Sequence, residues 1–296
     1  MSDSPAEVAF PARCELGEGS LWDPGQNVLY WVDILDHKVF VFDPERRANC
    51  AVDVGEDVGT VVVCEDERLL LALRSGFAFL DPKSGRLERV CDPDPDPQRR
   101  FNDGKCDPKG RFWAGTMAEP DRPGTAALYR LDGDLRVERQ LDGVTCSNGL
   151  VWSSDGQRFY YIDTPTQRID RFDVEPQSGT LRNRRTAAEI PRELGAPDGM
   201  TIDAEGQLWV ALFGGARVIR VDPSSGRIGY EVRLPVSNVT SCAFGGRELN
   251  ELYITTARVG LAPEKLRREP LAGSLFRARL PFRGVPASRF RGGRAP

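Results

Sequence analysis

The chain has 296 residues, 40% of them apolar, with seven cysteines, one histidine and a formal net charge of −4. That length and apolar share suffice for a large buried core, and the mildly acidic balance gives no electrostatic reason to expect nucleic acid or an anionic membrane as partner. The single histidine, His37, excludes a multi-histidine zinc cluster and any Ser-His-Asp or Cys-His arrangement that does not use it, so acid–base work near neutral pH falls to carboxylates, tyrosines, lysines or metal-bound water.

The first residues, Met1 to Glu7, lack the basic and apolar regions of a secretory signal, and no later segment reaches transmembrane length. Cys14, Cys50, Cys64, Cys91, Cys106, Cys146 and Cys242 are odd in number and form no C-x-x-C pair, which reads as reduced, mostly buried thiols. A cytoplasmic location is the corresponding expectation. Strand cores then recur along the chain: Leu29-Tyr30-Trp31-Val32, the aliphatic run from Leu69, Phe112-Trp113-Ala114, Phe159-Tyr160-Tyr161-Ile162, Leu208-Trp209-Val210-Ala211 and Leu252-Tyr253-Ile254-Thr255. Successive cores start roughly 40 to 49 residues apart, the period of propeller blades.

Turn signals frame the cores. Asp23-Pro24-Gly25, Asp107-Pro108-Lys109-Gly110, Ser154-Asp155-Gly156 and Asp203-Ala204-Glu205-Gly206 precede them. A second set follows them, including Asp81-Pro82-Lys83-Ser84-Gly85 and Asp222-Pro223-Ser224-Ser225-Gly226. Asp accepts local backbone hydrogen bonds and Gly supplies positive φ, so each period holds about four short strands joined by hairpins. The whole chain, 1–296, is therefore predicted to be one all-β domain, a six-bladed β-propeller with four antiparallel strands per blade. Its ordered core is expected over about 8–282. The stretch Val8 to Arg13 has no blade of its own and is predicted to pair into the last blade, closing the ring and hiding two sheet edges. Pro263 to Arg268 has room for one or two helical turns. Asp92 to Pro97, with alternating prolines, reads as a stiff extended loop, and His37 as a turn residue with a surface or structural role. The arginines of the last thirty residues, among them Arg283, Arg289, Arg291 and Arg294, read as a solvated basic tail, because no interleaved aromatic residues suggest a stacking surface.

Glu18, Asn102, Asn148 and Asp198 share one phase of the repeat, each about ten or eleven residues ahead of a strand core. A circular repeat brings such positions together at one end of the central channel. Two carboxylates and two carboxamides form an oxygen-only set suited to a divalent cation of the Ca²⁺, Mg²⁺ or Mn²⁺ type, with Zn²⁺ less favoured. The corresponding positions of the other two repeats hold Val58-Gly59 and Thr240-Ser241.

The segments Leu16-Gly17-Glu18-Gly19, Arg100-Phe101-Asn102-Asp103-Gly104-Lys105, Phe112-Trp113-Ala114-Gly115-Thr116-Met117, Ser147-Asn148-Gly149-Leu150 and Pro197-Asp198-Gly199-Met200 resemble the signature of the regucalcin, senescence-marker protein and gluconolactonase family, over nearly the whole chain from Cys14 to Leu280. The resemblance implies a sugar lactonase with one divalent metal ion (Ca²⁺, Zn²⁺, Mn²⁺, Mg²⁺ or Fe²⁺) held by Glu18, Asn148 and Asp198. It also implies that Asp198 is the general base and that Arg100 and Asn102 contact the substrate, which removes Asn102 from the four-ligand cage. A further substrate carboxylate of the family aligns with Pro120, and the adjacent Glu119 is the expected substitute. The implied reaction opens an aldonolactone, such as gluconolactone or a pentonolactone, to the aldonic acid, with Asp198 activating water. A non-catalytic calcium-binding regulatory propeller and a related propeller esterase or phosphotriesterase are the alternatives. The expected partner is thus a small sugar lactone, and the oligomeric state is open.

Overall fold

Strand cores that are apolar on both faces bury wholly, and here each becomes the second strand of a blade. The structure, a computed structural model, describes residues 6–119 and 122–293. It contains six four-stranded antiparallel sheets. Their innermost strands are Gly17–Asp23, Val58–Val63, Arg99–Cys106, Ser147–Trp152, Ala196–Ile202 and Val239–Gly245, each touching the next around a closed ring. The six-bladed propeller expected from the period is the observed fold. In the last blade Glu7–Phe10 pairs antiparallel with Leu275–Arg279, so an N-terminal strand closes the ring.

Burial falls from the axis outward. Val28–Asp33 and Leu69–Leu73 are buried throughout, whereas the outermost strand Ala48–Asp53 is largely exposed. Trp31, Trp113 and Trp209 fill the space between blades and are fully buried. The turn aspartates serve this packing as well. Asp107 Oδ2 accepts the Trp113 indole N–H at 3.0 Å, and Asp203 Oδ2 accepts that of Trp209 at 2.9 Å. A buried indole donor is thereby satisfied by the same carboxylate that closes the hairpin. The predicted helical turn is present as Pro263–Arg268. Asp94, in the proline-rich loop, is buried and accepts from Thr116 Oγ1 at 3.0 Å. Four of the seven thiols (Cys14, Cys64, Cys106 and Cys242) are buried. Among the described residues, no helix is long and apolar enough to cross a membrane.

The segment following Leu280 corrects the reading of a solvated tail. It crosses the end of the propeller where the inner strands finish, bridging Gly284 to Asp203 and Phe290 to Cys64. Phe290 is 0% exposed, and Arg289 and Arg291 pair with Asp23 and Glu65. The hairpin turns at that end carry carboxylates, and these compensate the arginines that sequence composition alone assigned to solvent. Arg294 lies outside the described residues.

Candidate active site

The inner strands start at the opposite end, and there each breaks register with its neighbour. The breaks fall between Glu18 and Leu21, Phe101 and Gly104, Asn148 and Leu150, and Pro197 and Met200. The remaining two blades shift between Val58 and Thr60 and between Val239 and Ser241. A bulge bends its strand and re-aims one side chain out of the pleat, so six bulges at one level re-aim a ring of positions together. Glycine beside the bulge lets neighbouring inner strands approach: a Cβ at Gly149 would lie 2.6 Å from the Asp198 carbonyl oxygen. Carboxylates pin two strand starts. Asp33 accepts from Glu15 N and Leu16 N at 2.8 and 3.0 Å, and Asp163 accepts from Cys146 N at 2.9 Å.

Glu18, Asn102, Asn148 and Asp198 are all buried at this level. The Glu18 and Asp198 carboxyl groups interact directly, and Asn148 contacts Asp198. Glu18 also accepts from Gly19 N at 2.8 Å. Burial, followed by the nearby Asp103, raises the Glu18 carboxyl above the ordinary range. Burial, followed by Glu18 and Asp103, raises Asp198 as well. The Asp103 charge is unfavourable to Glu18, and the charges of Glu18 and Asp103 are unfavourable to Asp198. The orientation of Asn148 follows from its partner. Thr164 Oγ1 donates to the Pro197 carbonyl at 2.8 Å and accepts from Asn148 Nδ2 at 3.0 Å, which leaves Asn148 Oδ1 buried with no hydrogen-bond partner. An orphaned amide oxygen beside two conflicting carboxylates fits a hard divalent cation. Among the described residues, no group of three His, Cys, Asp or Glu side chains could hold a metal. The candidate set is instead two carboxylates and an amide.

Arg100 and Asn102 form the adjoining wall. Arg100 Nη1 donates to Asn102 Oδ1 at 2.8 Å and to the Phe101 carbonyl at 3.1 Å, and Asn102 Nδ2 donates to the Ser147 carbonyl at 2.8 Å. Arg100 Nε donates to Glu119 Oε1 at 2.9 Å, so Glu119 does join the group. The side chain of Glu119 is 37% exposed, at the rim of the mouth. The aligned Pro120 lies outside the described residues.

Three residues near this group escaped the sequence reading. Asp103 is buried, with Oδ2 unpartnered, and burial raises its carboxyl while the Lys105 charge lowers it. The glycine that follows it was the available signal. Asp57 and Arg74, which pair at 2.5 Å, carried none, because they precede and follow strands of the one blade with only Val58 and Gly59 at the site level. Further along the channel, a cavity of about 370 Å³ is lined by Trp22, Lys105, Trp152 and Phe244 and capped by Val285 to Ser288. None of the four in-phase residues lines it.

The profile of the SMP-30/Gluconolactonase/LRE-like region matches residues 16–258. The chain is 41% identical over 288 residues, 97% of its length and 99% of the relative's, to YvrE of Bacillus subtilis (strain 168), which is named provisionally as a sugar lactone lactonase. It is 40% identical to regucalcin of Danio rerio over 295 residues, covering 99% of this chain and 100% of that one. The solved structure of a luciferin-regenerating enzyme superposes with a TM-score of 0.91 at 31% identity, covering 97% of this chain and 99% of the other. With the profile spanning most of the propeller and relatives matching it end to end, the chain belongs to the SMP-30/gluconolactonase/LRE-like family.

Proposed function

We propose that the protein hydrolyses a sugar lactone, an aldonolactone such as gluconolactone or a pentonolactone, with one divalent cation held by Glu18, Asn148 and Asp198. The observation that carries this reading is the buried Glu18–Asp198 pair beside the unpartnered Asn148 Oδ1. The lactonase name of the Bacillus subtilis relative supports the substrate class. When bound, the cation supplies positive charge that keeps both carboxylates ionised and polarises the lactone carbonyl.

The chain's own groups do the rest. Asp198, ionised, accepts the proton of the water that attacks the carbonyl carbon; the C–O ring bond then breaks and Asp198 returns that proton to the departing ring oxygen, regenerating its carboxylate. Arg100 has Nε and Nη1 committed to protein partners, and Nη2 is its one nitrogen with no hydrogen bond among the described residues, which reserves it for a substrate oxygen. Asn102 is anchored through both ends of its amide and presents its remaining N–H and lone pair to a sugar hydroxyl. Glu119 rims the opening and offers a third polar contact. Holding the ring by several hydroxyls aligns the carbonyl with Asp198, and such positioning contributes several orders of magnitude.

The test is a pH-indicator assay over aldonolactones, aryl esters and phosphotriesters, using metal-stripped protein reconstituted with Ca²⁺, Mg²⁺, Mn²⁺, Zn²⁺ or Fe²⁺. Lactone turnover that returns with a cation is the expected result. Full-rate hydrolysis by the chelated protein defeats the metal assignment. Cation binding without turnover of any of the three substrate classes turns the reading to a non-catalytic calcium-binding propeller.

A further inference from the structure

The second blade brings no polar residue to the level of the in-phase group, since Val58 and Gly59 stand there. Polar groups reach that side of the mouth from loops instead. Asp57 precedes the inner strand Val58–Val63, Arg74 follows Leu69–Leu73, and Glu119 follows Phe112–Ala118. Arg74 donates from Nε and Nη2 to Asp57 Oδ2 at 2.9 and 2.5 Å, and from Nη2 to Glu119 Oε2 at 2.7 Å. The other oxygen of Glu119 receives Arg100 Nε at 2.9 Å. Asp57 is 8% exposed, and its Oδ1 lies 3.0 Å from His37 Nε2. One continuous chain of contacts thus runs from the turn at His37 through Asp57, Arg74, Glu119 and Arg100 to Asn102.

We propose that Arg74, held by Asp57, is a positioning residue of the lactonase site, fixing Glu119 and through it the guanidinium of Arg100. The inference rests on the lactonase reading above. A half-exposed glutamate has several rotamers, and the order it imposes on Arg100 is worth only what remains after its own freedom is lost. A second guanidinium on its far oxygen removes that freedom in advance. Arg74 has little left for a substrate: Nε and Nη2 are committed, and Nη1 lies 3.5 Å from the Pro97 carbonyl oxygen. It therefore acts through Glu119. The two arginines and two carboxylates balance in formal charge, so the network offers no unpaired cation to an anionic substituent and suits a neutral polyhydroxy lactone.

The test compares aldonolactone kinetics of the cation-loaded wild type with Arg74→Met, Arg74→Lys, Glu119→Gln and the double variant Arg74→Met/Glu119→Gln, each checked by thermal melting. Arg74→Met is expected to raise KM about ten-fold with kcat within about two-fold, because it loosens substrate binding and leaves the reacting atoms alone. Arg74→Lys recovers part of the loss, and the double variant is no worse than Glu119→Gln by itself. An unchanged KM in Arg74→Met, or losses that add in the double variant, overturns the proposal. A ¹³C carboxyl titration of Glu119 reads the same contact without turnover. Burial pushes this carboxyl up, and the Arg74 hydrogen bond, followed by the charge and hydrogen bond of Arg100, outweighs it and holds the group below its usual value. Loss of Arg74 moves the midpoint upward; a midpoint that stays put overturns the positioning role even if the protein opens no lactone. A wild type that opens no lactone but whose Glu119 midpoint moves in Arg74→Met defeats the lactonase reading and leaves the hold of Arg74 on Glu119 intact.

Discussion

The same propeller treats its carboxylates in two opposite ways. At the blade turns, Asp222 accepts from Ser224 N, Ser224 Oγ and Ser225 Oγ at 2.9, 2.7 and 2.8 Å, and these bonds lower its carboxyl to about 2. Asp81 is lowered in the same way by the Lys83 N–H and the Ser84 hydroxyl. In the channel, burial raises Glu18, Asp103 and Asp198; the Asp103 charge adds to the rise of Glu18, and the Glu18 and Asp103 charges add to that of Asp198. A turn carboxylate is stabilised in its charged form by the fold, and its surroundings are complete. A channel carboxylate is destabilised in its charged form by the burial that the fold imposes on it. Perturbation in that second direction, concentrated at one end of one channel, is the electrostatic mark of a site.

Asp198→Asn tests the contrast most severely. It should lower kcat by about 10² to 10⁴, the usual contribution of a positioned base, while leaving the propeller folded. Removing one of two conflicting carboxyl groups should also leave the cation-free protein at least as resistant to heat as the wild type, and near-normal kcat at saturating cation would break the comparison at once. Next in size, a divalent cation at a hundred times its Kd should stabilise the chelated protein by about 2.7 kcal/mol, read as a rise in Tm. Glu18→Gln should weaken cation affinity by at least about ten-fold in calorimetry, since metal sites lose that much even from supporting residues. If Glu18→Gln binds as tightly as the wild type, the pairing with Asp198 has another purpose.

Gly149→Ala probes the backbone that holds the group together. A Cβ there meets the Asp198 carbonyl at 2.6 Å, and relieving the overlap should cost about 1–3 kcal/mol in denaturant unfolding, with a parallel loss of cation affinity. Unchanged stability and affinity would show that the inner strands do not need this approach. The smallest effect belongs to the turn. Asp222 has a folded value of about 2 against an ordinary 3.8, so its contribution to stability is complete above the ordinary value and is lost as pH falls through about 2. Asp222→Asn should flatten that acid limb of the stability curve and leave lactone turnover unchanged. An Asp222 resonance titrating near 3.8 in the folded protein removes the turn side of the comparison.

Much of this was legible in residue order because the repeat is local in its signals. Asp-Pro-x-x-Gly turns and aromatic cores reveal hairpins within a few residues, and their period reveals the blades. The common phase of Glu18, Asn102, Asn148 and Asp198 follows from the same regularity, as does the pairing of the N-terminal strand with a last blade short of one. Asp57, Arg74 and the span from Gly284 to Phe290 belong to no repeat phase. Glu119, the partner of Arg74, and Asp23 and Cys64, the partners of that span, are distant in sequence and meet them only in the folded ring.

The sequence by itself determined the propeller, its closing strand and which four positions converge, since strand period and turn chemistry act over short stretches of chain. Only the tertiary structure decided how those side chains are aimed and anchored. Register breaks in all six inner strands re-aim the side chains, the Thr164 hydroxyl orients the Asn148 amide, and His37, Asp57, Arg74 and Glu119 form a chain of contacts that ends on Arg100. These depend on distances of a few ångströms between segments far apart in the chain, which no local pattern encodes.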